Sequence, residues 1–196
     1  MDSGRITRRA ILLGSLVATV SGCSSTAQRW GEPILSAFGS GPASRYRRRD
    51  VAYDSGEPPG TIIVNTAERY LYLIESPGRA RRYGIAVGED GRTLKGPASI
   101  GRKAEWPSWT PTESMMERKP RLRQYAGGVS GGPHNPLGAA ALYLYRGGQD
   151  TMFRLHGTNE PWTIGQAVSS GCVRLTNDDI VDLYGRTPVG TKVLVI

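Results

Sequence analysis

The sequence predicts a mostly β domain with one short helix near its carboxyl end, and three observations predict it. β-branched and aromatic residues gather in short runs, as at 60–66, 70–75 and 193–196, with the length and composition of strands. Gly (26) and Pro (13) are spread along the 196 residues, which suits short elements joined by many turns better than a helical bundle. Only residues 178–184 carry a clear helix signature: Thr176 or Asn177 as N-cap, Asp178 and Asp179 in the first turn, and Gly185 as the stop.

At the amino end Arg5, Arg8 and Arg9 precede an apolar run, 10–20. That run is too short to span a bilayer and is patterned as an export signal over 1–22; Arg8-Arg9 also fits a twin-arginine signal. Val20-Ser21-Gly22-Cys23 is similar to a bacterial lipobox, in which Cys23 would take a diacylglycerol and become a lipidated amino terminus. The alternative is an ordinary secretory signal with an incidental cysteine. Residues 23–58 shift to Ser, Gly, Pro, Ala and Arg without periodicity and read as a flexible linker. Within it Tyr46-Arg47-Arg48-Arg49 is either a surface for anionic headgroups or wall polymer, or a solvated tether.

The remaining segment, 59–196, has room for one domain with its own core. Residues 60–66 and 70–75 form a hairpin about Ala67-Glu68-Arg69, and 83–88 reads as a third strand ending in a turn at 88–92. Residues 94–103 resemble the Pro/Gly turn feeding a strand of a known domain family. The span 106–137 is rich in Pro, Gly and charge, a length that is functional when it is ordered. Helical turns are expected near 112–118. Trp106, Trp109 and Tyr125 could line a groove there, with Arg118, Lys119, Arg121 and Arg123 meeting carboxylates; the alternative is that the aromatics cap the core and the charges are solvated. His134 reads as a loop residue. Strands at 139–145 and 152–155 follow, the second delivering His156 at its end, where rigid scaffolds present chemistry.

His156 and Cys172 are a candidate base and nucleophile, because a thiol becomes a strong nucleophile when imidazole takes its proton. With Cys23 lipidated, Cys172 has no intramolecular partner, and a lone thiol in an oxidising compartment is a liability unless the sulfur has a task. Ser169, Ser170 and Gly171 permit a tight turn whose N–H groups could face an oxyanion. On residue types alone, a buried structural Cys and a satisfied His remain open.

H-G-T at 156–158 followed by S-S-G-C-V-R at 169–174 resembles the active-site signature of the L,D-transpeptidase family, the YkuD-type catalytic domain. The likeness extends through G-G-P-H-N-P-L-G at 131–138 and T-N-D-D-I-V-D-L-Y at 176–184, covering 59–196. It implies a β-sandwich or barrel of mixed strands with a short helix after the cysteine. It also implies that Cys172 attacks the carbonyl before the terminal D-alanine of a peptidoglycan tetrapeptide stem, with His156 as general base and acid. The resulting thioester would pass to the amine of a neighbouring stem as a 3-3 crosslink, to an envelope protein, or to water as carboxypeptidase activity. Ser170, Gly171 and Cys172 would supply the oxyanion hole from their backbones; Arg174, Trp162, Gly157 and Tyr125 would contact substrate, and a backbone carbonyl would orient His156. Carbapenems would acylate Cys172. Many relatives place a second histidine where this chain has Ser170, so the role of that residue is altered here.

The chain carries a net charge of +8; without Arg5, Arg8, Arg9 and Asp2 the balance is 22 basic to 16 acidic residues, or +6. That excess favours an anionic wall polymer or lipid, while no nucleic-acid-binding motif is present. Two histidines and one free thiol without ligand spacing argue against a metal, and no cofactor is implied. The expectation is a lipid-anchored enzyme of the periplasm or cell envelope. The alternatives are a non-catalytic peptidoglycan-binding module, or a cysteine hydrolase of another amide or ester, with rapid thiol alkylation at neutral pH separating enzyme from module.

Overall fold

The computed structural model describes residues 41–89 and 93–196; the expected export signal, Cys23 and most of the expected linker lie outside the described residues. The fold is mostly β. In chain order the elements are β1 (Arg49–Ala52), β2 (Ile62–Asn65), β3 (Tyr70–Ser76), β4 (Arg79–Gly84), β5 (Val87–Gly88), β6 (Gly96–Glu105), α1 (Glu113–Arg118), β7 (Ala140–Arg146), β8 (Gln149–His156), β9 (Ala167–Ser169), β10 (Val173–Arg174), α2 (Asn177–Arg186) and β11 (Lys192–Val195). One mixed sheet runs β1-β4-β3-β2-β11-β6-β7-β8-β10, and β5 pairs with β9 in a small parallel sheet. Ile62, Ile63 and Val64 are all buried, because β2 lies mid-sheet with both faces covered.

The large sheet curls back on itself. Beyond β4, Ala86 exchanges both amide–carbonyl bonds with Arg174, each 2.9 Å, so β10 is held by β8 on one side and by Ala86 on the other. Residues 44–52, assigned by composition to the linker, are structured. Tyr46 is buried against the backbone of Gly84 and Gly165, where a Cβ at either glycine would strike it, and β1 pairs antiparallel with β4. The expected strand 83–88 is split: pairing starts at Arg79, and Ile85 and Ala86 separate β4 from β5. Its charged start hid it, since Arg81 pairs with Asp50 and Asp182, and Arg82 lies over the Tyr70 ring.

The helix α2 packs against β7 and β8 with Ile180 and Leu183 buried. Thr176 is its N-cap, accepting the Asp179 N–H. The helix continues through Gly185 to Arg186. Its end is satisfied from outside instead: Lys103 Nζ donates to the carbonyls of Tyr184 (2.6 Å) and Thr187 (2.7 Å), so no glycine cap is needed. The span 106–137 is folded. It holds α1, capped by Thr112, and a 3-10 turn at Pro120–Tyr125. Trp109 and Val129 bridge its two limbs, and Asn135 ties the carbonyls of Val129 and Ser130 with its amide.

Candidate active site

Two cross-strand rows build the site. In the parallel pairing of β8 with β10, Val173 lies opposite Leu155 and Arg174 opposite His156, which puts Cys172, one residue earlier, beside Arg154. On β7, Tyr143 pairs with Arg154 and Ala141 with His156; on β6, Arg102 pairs with Tyr143 and Ala104 with Ala141. One row therefore reads Arg102–Tyr143–Arg154–Cys172 and the next Ala104–Ala141–His156–Arg174. Alternation sends these side chains to one face while Leu155 and Val173 enter the core. The face floors a cleft of about 600 Å3, walled by Trp109, Thr112, Met115 and Arg118 from the 106–137 span.

His156 is buried, and its Nδ1 lies 2.6 Å from the Gly157 carbonyl. A carbonyl only accepts, so Nδ1 carries the proton and Nε2 keeps its lone pair. Burial, reinforced by the positive charge of Arg174, lowers His156 from 6.5 to about 3 against the opposing bond to Gly157. The ring is therefore neutral at neutral pH. Cys172 is a free, half-buried thiol, 3.9 Å from the Met152 carbonyl. Burial pushes it above its ordinary value of 9.0; the Arg154 N–H bonded to the sulfur, and the charges of Arg154 and Arg174, oppose this without reversing it. Base and nucleophile both rest uncharged.

The nucleophile turn is braced by Ser169, whose Oγ donates to the Cys172 carbonyl (2.6 Å) and accepts the Gly171 N–H (3.1 Å). Gly171 sits at φ 141°, where a side chain would be strained. Its N–H is thus already committed, and of the three amides expected to face an oxyanion, those of Ser170 and Cys172 are left.

The other expected contacts separate. Arg174 lines the cleft and pairs with Glu160 at 2.8 Å, and its Nε is buried without a partner. Gly157 is buried outside the cleft lining, packed so that a Cβ there would lie 2.4 Å from Asn177 Oδ1 and 3.1 Å from Ile180. Trp162 is exposed and away from the cleft lining. Tyr125 stands behind Trp109, ring centroids 6.1 Å apart, and Trp109 does the lining. Trp106 lies outside the lining. Arg118 is in it, Lys119 pairs with Glu89 (3.2 Å), and Arg121 and Arg123 are exposed elsewhere. His134 is an exposed turn residue whose carbonyl accepts from Asn159.

Sequence reasoning passed over Arg102, Tyr143, Arg154, Ser169 as a brace, and Asn177. Period-two alternation back from His156 marks Arg154 as sharing its face. Arg102 had no such signal, because its orientation depends on a bulge. Asn177 Oδ1 accepts the N–H groups of Ala139 (3.0 Å) and Thr158 (3.1 Å), tying β7 and the residues after His156 to α2. Among the described residues, no group of three or more His, Cys, Asp or Glu is placed to hold a metal ion, and no helix is long and apolar enough to cross a membrane.

The family model for the L,D-transpeptidase catalytic domain (YkuD) matches residues 59–195. The probable L,D-transpeptidase ErfK/SrfK of Escherichia coli K12 is 38% identical over 139 residues, 69% of this chain and 43% of that protein. A putative L,D-transpeptidase from the ATP synthase subunits region of Fuscovulum blasticum is 36% identical over 148 residues, covering 74% of this chain and 72% of its own. A crystal structure from Brucella melitensis, of a protein described as a probable carnitine operon oxidoreductase, is 47% identical with a TM-score of 0.54, covering 79% of this chain and 96% of that one. The chain thus spans less than half the length of the Escherichia coli relative.

Proposed function

The chain belongs to the L,D-transpeptidase catalytic-domain family, and from that premise we propose that it is a cysteine acyltransferase acting on peptidoglycan stem peptides. The observation that carries this reading is a neutral His156, its Nδ1 proton fixed on Gly157, in one cleft with a free Cys172 thiol. Nε2 is then the base. As the sulfur attacks the carbonyl before a terminal D-alanine, its proton passes to Nε2, and the oxyanion takes the Ser170 and Cys172 amides. Collapse breaks the C–N bond; His156 returns the proton to the leaving amine, and a thioester remains on Cys172. An acceptor amine attacks that thioester, gives its proton to His156, and releases the product as the thiol re-forms. A neighbouring stem gives a 3-3 crosslink, an envelope protein gives anchoring, and water gives a shortened stem.

The test is product analysis by mass after incubating the purified chain with tetrapeptide-stem muropeptides, beside Cys172→Ala. Loss of D-alanine with a thioester or dimer that depends on Cys172 supports the reading. No turnover and no adduct on a folded protein with a titratable thiol would sink it. We further propose that Cys23 bears a lipid holding the enzyme to a membrane of the cell envelope, on the strength of the Val20-Ser21-Gly22-Cys23 pattern; metabolic lipid labelling that persists in Cys23→Ser would refute that.

A further inference from the structure

Two guanidiniums share the Tyr143 ring. Arg102 Cζ lies 3.5 Å from its centroid and Arg154 Cζ 4.4 Å. Arg154 is neutralised by Asp150 through a two-pronged bond, 2.7 and 3.0 Å. Arg102 has no carboxylate within ion-pair distance among the described residues, although it lines the same cleft. Arg102 is exposed to the cleft, so of two like charges over one ring it is the one free to meet an incoming anion.

Arg102 reaches the cleft because of a bulge. Ile100 pairs with Leu144 and both are buried, yet the next pair is Arg102 with Tyr143. Gly101 is the extra residue, with its Cα so close to the Tyr145 ring that a Cβ would lie 2.3 Å from it. Simple alternation would send Arg102 to the core side with Ile100; the bulge turns it onto the face of Cys172. Lys103, next in line, points the other way to α2.

We infer that Arg102 reads a free carboxylate on the acyl donor, so that the cleft prefers acidic stem peptides to their amidated forms. This rests on the acyl-transfer reading above and names the donor class. Arg102 lies three strand spacings from the strand of Cys172, and its lean over Tyr143 shortens the reach to about two, or roughly 10 Å. At about 3.3 Å per extended residue, that distance fits a carboxylate that ends a side chain within the two residues before the cut, and not the carboxylate of the departing D-alanine, which lies one residue away.

Binding is measured on the full chain carrying Cys172→Ala, so it does not depend on turnover; absent turnover in the parent chain would count against the acyl-transfer reading alone. The probes are a tetrapeptide stem with free carboxylates, the same peptide amidated at its internal carboxylates, and the same peptide amidated at its carboxyl end. The unmodified peptide is expected to bind about tenfold more tightly than the internal amide, the usual scale for a charged hydrogen bond. Adding Arg102→Gln should erase that ratio, Arg102→Lys should keep part of it, and Arg123→Gln, outside the cleft, should leave it intact. A ratio that survives Arg102→Gln overturns the inference. So does the absence of any ratio in the parent, a discrimination confined to the carboxyl-terminal amide, or no binding of any of the three.

Discussion

Asn177, the first residue of α2, accepts the amide proton of Thr158 at 3.1 Å, and the same oxygen takes that of Ala139 at 3.0 Å. Gly138 and Gly157 close on it so tightly that a Cβ at either would lie within 2.4 Å of that oxygen. The Gly157–Thr158 peptide is therefore fixed by its N–H, and its carbonyl is the group that holds His156 Nδ1. Asn177→Ala should lose about 3 kcal/mol of stability, the cost of two stranded amides, and about tenfold in kcat as the imidazole loses its fixed tautomer. Asn177→Asp keeps the acceptor and should recover most of both. Urea unfolding and steady-state kinetics check this; unchanged kcat in Asn177→Ala would refute the positioning role.

Burial raises the Cys172 thiol above its ordinary value, which argues against the rapid alkylation at neutral pH expected of a resting thiolate. Iodoacetamide should label Cys172 slowly at pH 7, with a rate that climbs as pH passes 9. Intact-mass time courses across pH decide it, and fast labelling at pH 6 would show a thiolate–imidazolium pair instead.

Two buried groups set opposite acid responses. His156 titrates near 3 when folded and 6.5 when free, so below 6.5 the unfolded chain binds the extra proton; stability falls between pH 6.5 and 3, by about 5 kcal/mol at most. Asp179 is raised from 3.8 to about 6, chiefly by burial. Here the native state binds the extra proton, so stability rises as pH falls from 6 to 3.8, by up to about 3 kcal/mol. Asp179→Asn should be more stable than the parent at pH 7.5 and lose that advantage by pH 4. Urea midpoints across pH measure the difference; a constant offset would contradict the assignment.

Ser169→Ala removes the brace that links the Cys172 carbonyl to the Gly171 amide. The chain should stay folded, with about 1 kcal/mol lost, while kcat falls about tenfold because the nucleophile turn is no longer held. Kinetics with the circular dichroism spectrum as a folding control test this, and full activity would assign the oxyanion site elsewhere.

The pattern of the sequence made the core strands, the Thr176 cap and the shared cleft of His156 and Cys172 legible, because each rests on local composition or short spacing. What escaped it depends on partners distant in sequence. β4 begins on arginines that look solvated until Asp50 and Asp182 arrive to pair with Arg81. Tyr46 looks like part of a tether until Gly84 and Gly165 open a slot for it. Arg102 changes face through Gly101, and α2 outruns Gly185 because Lys103 supplies its cap from another strand. Gly157 belongs to the signature and Trp162 lies between its two halves, yet neither lines the cleft, since Gly157 is buried and Trp162 faces outward.

The pairing of Ala86 with Arg174 closes the sheet at its shortest strand, since β10 is only two residues long. The sulfur is thus mounted on the zipper's last teeth. Local separation there costs less than melting the core, so warming should silence catalysis while circular dichroism still reports an intact sheet, and a bound stem peptide that fastens both sides should bring the two temperatures together.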